Sequence, residues 1–387
     1  MADGGGGGGD LLSALPDDVL HLILLRLRSA AAAARTSVLA RRWRSLWTTL
    51  PELRFPAVTD LARVTAALLS HDAPLLHRLE LCSHDPAPHE VAAVLHLAAR
   101  SLAGKLLLDI VMRKKRNPVA AAAAGIGAAF HIPCFRKATE ISIRFAYLTI
   151  RLPPFGVFVK LSVLRLTRFR LDDSQSIRSK TLLTVGLFEL EELQQLTISA
   201  PMLRTLHLVH CLDKRASMVD CEFLMEDMNT LPAIEILSLR LITAGHAFGP
   251  SVFQLLRTST GVRELHLDLD HHLKGEVSCS SGCICYKPSD WESMDICLNF
   301  LQKVEINNLS GAEYEICFVK RLLTWAPVLK MITVMFGPSV TVSEEVCQEL
   351  LSFSRRCSPG ICMEIYLHGN RAKVMYRAVN LKRPRDD

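Results

Sequence analysis

The chain has 387 residues, 49% of them with apolar side chains, enough to fill the cores of two or three packed units. Lys and Arg number 45 against 39 acidic residues, a formal +6, too thinly spread to mark a dedicated nucleic-acid binder. The 12 cysteines are scattered and the N-terminus, Gly4 to Gly9, is no secretory h-region, so reduced thiols and a cytoplasmic or nuclear location are expected.

The most apolar stretches, 19–27 and 119–130, fall short of the roughly 18 residues a membrane span needs, so no membrane partner is expected. Residues 1–10 are mostly glycine, whose backbone entropy predicts a disordered tail. Structure is expected to begin near Leu11. Pro16 suits a first helical turn, Asp17 and Asp18 complement its dipole, and Leu20, Ile23, Leu24 and Leu27 recur at helical spacing. After the alanines at 30–34, Trp43, Leu46 and Trp47 share one helical face, and Pro51 ends the region. Three short helices cannot bury all these apolar faces on one another, which points to a docking module.

Read as a set, LPDDVLHLILLRL (15–27), RTSVLARRWRSLW (35–47) and LPELRF (50–55) resemble a plant F-box. The resemblance implies that Leu15 and Pro16 open the motif. It further implies that Leu20, Ile23, Leu24, Val38, Trp43 and Trp47 grip a SKP-type adaptor, which bridges to a cullin and a RING protein. One departure stands out: family members usually carry a proline and a charged pair after the position of Leu27, where this chain has Arg28, Ser29 and then alanines. Alanine favours helix, so a blurred break between the first two helices is expected.

Beyond Phe55 an L-x-x-L-x-L hexamer recurs: LHRLEL (76–81), LSVLRL (161–166), LQQLTI (193–198), LRTLHL (203–208), IEILSL (234–239) and VRELHL (262–267). Each alternates apolar and polar at its end, as a short strand with leucines turned inward does, and most intervals suit a strand plus a return segment. Solenoids bury their cores only by stacking such units, which makes this a leucine-rich-repeat signature. Spacing is irregular. Leu193 and Leu203 are close, while the interval between Leu81 and Leu161 is long and holds a further candidate strand, ISIRF at 141–145. In a leucine-rich arc the polar positions between and after the leucines line the inner sheet. They make Arg165, Thr167, His207, Glu264, His266, Asp268 and Glu305 the candidate substrate-binding residues.

Cys279, Cys283 and Cys285 lie in an aperiodic stretch with Pro288 and Trp291. A zinc site generally needs a second well-spaced pair, and Cys297 alone does not supply it. Residues 301–336 then read strand, turn at Gly311, amphipathic helix through Trp325, and strand. Through Val304, Gly311, Glu315, Phe318, Val319, Leu323, Ala326, Leu329 and Lys330 this segment resembles the FBD module of plant F-box proteins.

The expected fold is α/β: a three-helix F-box, an irregular leucine-rich-repeat solenoid of parallel strands with return helices or loops, and an FBD-like end. Expected boundaries are 11–55 for the F-box, 56–297 for the repeats, 298–375 for the FBD-like region and 376–387 for a basic tail. The chain has no G-x-S-x-G, H-E-x-x-H or G-x-x-x-x-G-K motif, and His271 and His272 beside Asp268 and Asp270 read as solvated strand ends. Neither catalysis nor a cofactor or metal is expected. The resemblance implies a non-catalytic substrate-recognition subunit of an SCF-type ubiquitin ligase, acting by proximity. A rival is an F-box interaction protein that binds its adaptor without supporting ubiquitination. A third reading takes the basic clusters at 113–116 and 382–385 as nucleic-acid or nuclear-import contacts, although solvated charge runs account for them as well.

Overall fold

The computed structural model describes residues 12, 14–111, 130–151, 158–171, 175–189, 196–209, 233–243, 248–259, 261–270, 294–338, 340–357, 360–368 and 373–376. The glycine-rich tail, the basic cluster at 113–116, His271 and His272, the Cys279 to Cys285 stretch with Pro288 and Trp291, and the basic C-terminal tail lie outside them. Two compact units divide the chain at Leu182/Leu183.

The first unit opens with helices α1 (Asp17–Arg26), α2 (Ala30–Arg35) and α3 (Trp43–Leu46). Pro16 enters α1 at φ −60°, Asp17 and Asp18 sit in its first turn and Arg26 in its last, all in accord with its dipole. The break after α1 is sharp rather than blurred. Arg28 takes φ 50°, and the Ser29 hydroxyl accepts the Ala32 N–H at 3.2 Å to start α2. A left-handed residue followed by an N-cap overrides the helix propensity of the alanines. Leu20, Leu24, Ala33, Trp43, Leu46 and Leu50 close a small core. His21 Nε2, 2.9 Å from Thr49 Oγ1 and 3.2 Å from the Leu46 carbonyl, and the Arg42 to Asp17 pair tie α1 to the third helical segment.

The stretch expected to close the F-box continues directly into a sheet. Strand β1 (Glu52–Val58) pairs in parallel with β2 (Leu76–His84), β2 with β3 (Leu102–Val111), β3 with β5 (Glu140–Arg151) and β5 with β6 (Val163–Leu171). The short β4 (Phe130–His131) pairs with the far end of β5, and β7 (Gln175–Arg178) follows β6. Helix α4 (Leu61–Leu69) connects β1 to β2, and α5 (Pro88–Ser101) connects β2 to β3. Register aligns the buried Leu53, Leu79, Leu106, Ile141 and Leu164 into one row and Phe55, Leu81, Leu108, Ile143 and Leu166 into a second. Gly104 lies at the irregularity between β2 and β3, where a Cβ would stand 2.0 Å from the His77 carbonyl oxygen; only glycine permits that approach.

The second unit repeats the arrangement. Strands β8 (Thr184–Phe188), β10 (Thr205–Val209), β11 (Ile236–Ile242), β12 (Glu264–Asp270), β13 (Lys303–Leu309), β14 (Met331–Phe336) and β15 (Cys362–His368) pair in parallel in that order. A final β16 (Lys373–Met375) runs antiparallel to β15, and β9 (Leu196–Ser199) lies between β8 and β10 in sequence. Helices α6 (Gly249–Thr258), α7 (Glu313–Trp325) and α8 (Glu344–Cys357) fill three of the connections. Leu206, Leu237, Leu265, Val304 and Ile332 form one buried row, and Leu208, Leu239, Leu267, Ile306, Val334 and Ile365 the next. Behind them Phe248 and Phe318 meet edge-to-face at 5.1 Å, and Phe253 packs 5.3 Å from Trp325.

The strand, turn, helix and strand expected within 301–336 are β13, the turn at Gly311 (φ 83°), α7 and β14. The turn is held by Glu315, which is fully buried. Its Oε2 accepts the N–H groups of Ser310, Gly311 and Ala312 at 2.7, 2.8 and 3.3 Å. Removing the carboxylate strands three donors at once, so Glu315→Ala is expected to lower unfolding free energy by about 2–3 kcal/mol. The exposed Glu313→Ala, one turn position away, stays within about 0.5 kcal/mol of wild type. Urea titrations followed by circular dichroism check the pair, and equal midpoints would remove the role assigned to Glu315.

Candidate adaptor and substrate surfaces

The F-box residues divide by exposure. Leu20, Leu24 and Trp43 lie inside the module's own core and present almost no surface, so here they hold the helices together. Leu15, Ile23 and Trp47 are half-buried against that core, Pro16 is exposed, and Val38 is 87% exposed. Leu22 and Leu39, which the periodicity did not single out, are 61% and 63% exposed. The apolar surface the helices leave open therefore centres on α1 and the 3-10 turn Thr36–Val38 with Leu39. A helical spacing argument names the apolar stripe but cannot separate residues that close a core from those left outside it.

The candidate substrate residues fall on the polar faces of the strands of each unit. In the first unit Arg165 Nη1 donates to Glu140 Oε1 at 2.7 Å, and Lys105 Nζ reaches the other carboxylate oxygen at 2.8 Å. Burial opposes ionisation of Glu140, but these two cations outweigh it and hold the carboxyl below its ordinary range. Thr167 stands beside Arg144 in register, one row further along.

In the second unit, register brings His207, Ser238, His266 and Glu305 into one cross-strand row. A second row runs Phe188, Val209, Arg240, Asp268 and Asn307, and Glu264 lies beside Lys303 in a third. His266 Nδ1 lies 3.3 Å from Glu305 and its Nε2 3.5 Å from Glu264. Asp268 is held from both sides: Arg240 Nε donates to Oδ2 and Asn308 Nδ2 to Oδ1, each at 2.7 Å. Asn308 reaches it from a left-handed conformation (φ 63°) where the β13 register slips, a geometry asparagine tolerates.

These rows border a shallow cleft of about 650 Å³ whose polar wall includes His207, Ser238, Arg240, His266, Asp268 and Asn307. Ser238, Arg240 and Asn307 join the sequence candidates on this wall, and the hexamer pattern carries a signal for them. They occupy the fifth and seventh positions of their repeats, as His207, His266, Glu305 and Asp268 do. Among the described residues no group of three or more His, Cys, Asp or Glu side chains is placed to hold a metal, and no helix is long and apolar enough to cross a membrane.

Comparison with known proteins fits the helical module first. Residues 12–55 match the F-box domain, so the chain carries an F-box, a protein-interaction module. A putative F-box/FBD/LRR-repeat protein of Arabidopsis thaliana is 40% identical over 80 residues, covering 19% of this chain and 18% of that protein. An F-box/FBD/LRR-repeat protein of the same plant is 28% identical over 212 residues, 50% of this chain and 44% of the relative. F-box/LRR-repeat protein 25, also from Arabidopsis thaliana, is 35% identical over 73 residues, 19% and 28% of the two chains. Each match spans less than half the relative's length. The F-box is thus shown for residues 12–55, and the matched stretches are similar to plant F-box/FBD/LRR-repeat proteins.

Glu305 offers a direct check on the cleft geometry. The hydrogen bond from Asn307 favours its ionised form, burial opposes it, and His266 and Lys303 add to the first effect. Together they hold the carboxyl below its ordinary range. A lowered folded pKa means stability that is fully present above the unfolded carboxylate pKa and lost as pH falls through the folded value. The stability difference between wild type and Glu305→Gln is therefore expected to be constant near neutrality and to shrink below about pH 4. Urea midpoints measured across pH test this, and a difference that ignores pH contradicts the arrangement.

Proposed function

We propose that the chain is the substrate-recognition subunit of an SCF-type ubiquitin ligase. The observation that carries this reading is an F-box whose core is complete while Leu22, Val38 and Leu39 stay exposed on its surface. Folding leaves these side chains without an apolar neighbour to cover them, and a SKP-type adaptor is the partner that F-box modules generally present such residues to. On this reading Leu15, Pro16, Ile23, Val38 and Trp47 contribute to the adaptor contact, while Leu20, Leu24 and Trp43 support it from within. The adaptor in turn bridges to cullin and RING subunits.

The parallel strands that follow are read as degenerate leucine-rich repeats, and residues 298–375 as an FBD-like end to them. Aligned buried rows in sequence-ordered parallel strands support that assignment within each unit. The polar faces then receive a protein substrate. The chain performs no bond chemistry itself; it raises the rate of ubiquitin transfer by holding the substrate near the conjugating enzyme.

The test is co-expression with a plant SKP-type adaptor and a quantitative pull-down. Val38→Asp with Leu39→Asp places charge on exposed positions, so folding is expected to stay within about 1 kcal/mol of wild type while adaptor capture falls at least about tenfold. Leu20→Ala instead costs about 2–5 kcal/mol of stability by opening the core, which circular dichroism detects. If folded wild-type protein fails to capture the adaptor, the ligase reading is wrong. If it captures adaptor but no substrate is modified when cullin and RING subunits are added, the chain is an interaction module without ubiquitination.

A further inference from the structure

Three turns that lead into strands of the second unit are built alike. Residues 200–203 enter β10, 298–301 enter β13 and 326–329 enter β14. In each, the last N–H donates to the first carbonyl, at 2.9, 3.2 and 3.2 Å, and the first and last residues are buried. In each, too, the third residue is apolar and exposed: Met202 at 53%, Phe300 at 52% and Val328 at 42%. Turns favour Gly, Asn, Asp and Ser, so neither turn chemistry nor the core requires large apolar side chains at these tips. Register sets the tips in strand order. Met202, Ala233, Gly261, Phe300 and Val328 each stand three residues ahead of mutually paired positions, and a Cβ on Gly261 would lie 3.3 Å from that of Ala233. Phe300 and Val328 are therefore on adjacent turns, and two small residues separate them from Met202. The residue just ahead of each strand adds charge. Arg204, Glu235, Arg263, Gln302 and Lys330 hold that position, and the side chains of Arg204, Arg263 and Lys330 are exposed with no ion-pair partner among the described residues. Glu235 is the one unpaired carboxylate in the row, whereas nearby Glu264 and Asp295 are approached by Lys303 at 3.9 Å and Arg321 at 3.3 Å. Three free cations against one free carboxylate leave the row positive, and Arg257 and Arg355, in the last turns of α6 and α8, add to that sign.

We propose that this edge is a protein-binding surface in its own right, taking a partner segment whose bulky apolar side chains cover Phe300 and Val328 and whose Asp or Glu side chains meet Arg263 and Lys330. Charge complementarity carries the choice of partner. Free cations set just behind apolar tips attract an acidic segment and repel a basic one, while the tips supply the burial. The spacing of the tips favours a polypeptide over a bilayer. Met202 stands three strand steps, about 14 Å, from Phe300, so the apolar surface is divided into separate points and forms no single plateau. A polypeptide covers that interval in about four extended residues and reaches both points. The surface lies where the strands begin, apart from the outward rows that the substrate reading uses, so it is additional to them and does not depend on the ligase reading.

The experiment pans a random dodecapeptide display library on the immobilised full-length chain after depletion on a variant with Phe300→Ser and Val328→Ser. Surviving clones are expected to combine bulky apolar residues with Asp or Glu. Synthetic peptides from them, measured by fluorescence anisotropy, are expected to lose at least about tenfold in affinity for the depleting variant. A second variant, Arg204→Gln with Arg263→Gln and Lys330→Gln, keeps the tips and is expected to bind about tenfold more weakly, the summed effect of three exposed charges. Rising NaCl weakens wild-type binding in parallel, a readout that involves no change of fold. Circular dichroism checks that both variants fold; if the first does not, panning without depletion, the charge variant and the salt series still decide. No surviving clone, clones that are basic or uncharged, or affinity indifferent to the charge substitutions and to salt would each overturn the proposal. So would sedimentation of the full-length chain with phosphatidylserine vesicles that the Phe300→Ser, Val328→Ser variant loses, since it assigns the edge to a membrane surface. Adaptor capture is expected to be the same in wild type and both variants, so this surface and the ligase reading stand or fall separately.

Discussion

Everything on the sheets follows from one constraint: a short parallel strand is stable only with its leucines in register with those of the next. A strand of five to seven residues such as β10, β11 or β12 has too little surface to bury alone. In the second unit the stacking begins one residue ahead of each strand. The carbonyls of Leu183, Arg204, Glu235, Arg263 and Gln302 each accept two N–H groups from the following strand segment. The same backbone contact, made five times over among the described residues, fixes the register. With register fixed, inward leucines align into buried rows and the alternate residues have no choice but to align outward. The polar rows are thus a product of core packing, and evolution is free to vary their chemistry without touching the frame.

Departures from that regularity sit where the chain must turn, and each has its own stabilising group. Gly104 lets β3 approach the His77 carbonyl; Arg28 breaks the helix ahead of Ser29; Glu315 gathers three N–H groups at the entrance to α7. A buried glutamate would be costly without partners, and here three backbone donors supply them. Glu90 does similar work at α5, accepting the Ala87 N–H at 2.8 Å. Acidic residues placed three positions into a helix thus recur as the means of joining strand to helix in both units.

Local pattern made much of this legible. The hexamers at 76–81, 203–208, 234–239 and 262–267 coincide with β2, β10, β11 and β12, and ISIRF lies in β5, because period-two alternation is a property of each strand alone. The strand–turn–helix–strand order of 301–336 was equally plain. What the sequence hid depends on contacts between distant residues. Whether Leu20 or Leu22 faces the core depends on how α1 meets α3, and both sit on a helix rich in leucine. The row joining His207, Ser238 and His266 exists only once three strands separated by dozens of residues are in register. The break at Arg28 is invisible to helix propensity, which weighs each alanine alone and does not register a left-handed residue and a capping serine acting together.

The F-box shows a division of labour that bears on how its surface evolves. Leu20, Leu24, Trp43, Leu46 and Leu50 complete a core with no help from a partner, so the module's stability does not require Leu22, Val38 or Leu39. Exposed side chains of that size raise the risk of self-association and contribute little to folding, so a stability argument alone would replace them with polar residues. Their presence is therefore better explained by a binding role than by the fold. The strands of the second unit show the same separation: the inward leucines are committed to the buried rows, while the outward positions, among them Phe188, Val209, His207 and Arg240, take no part in them and are free to differ in chemistry.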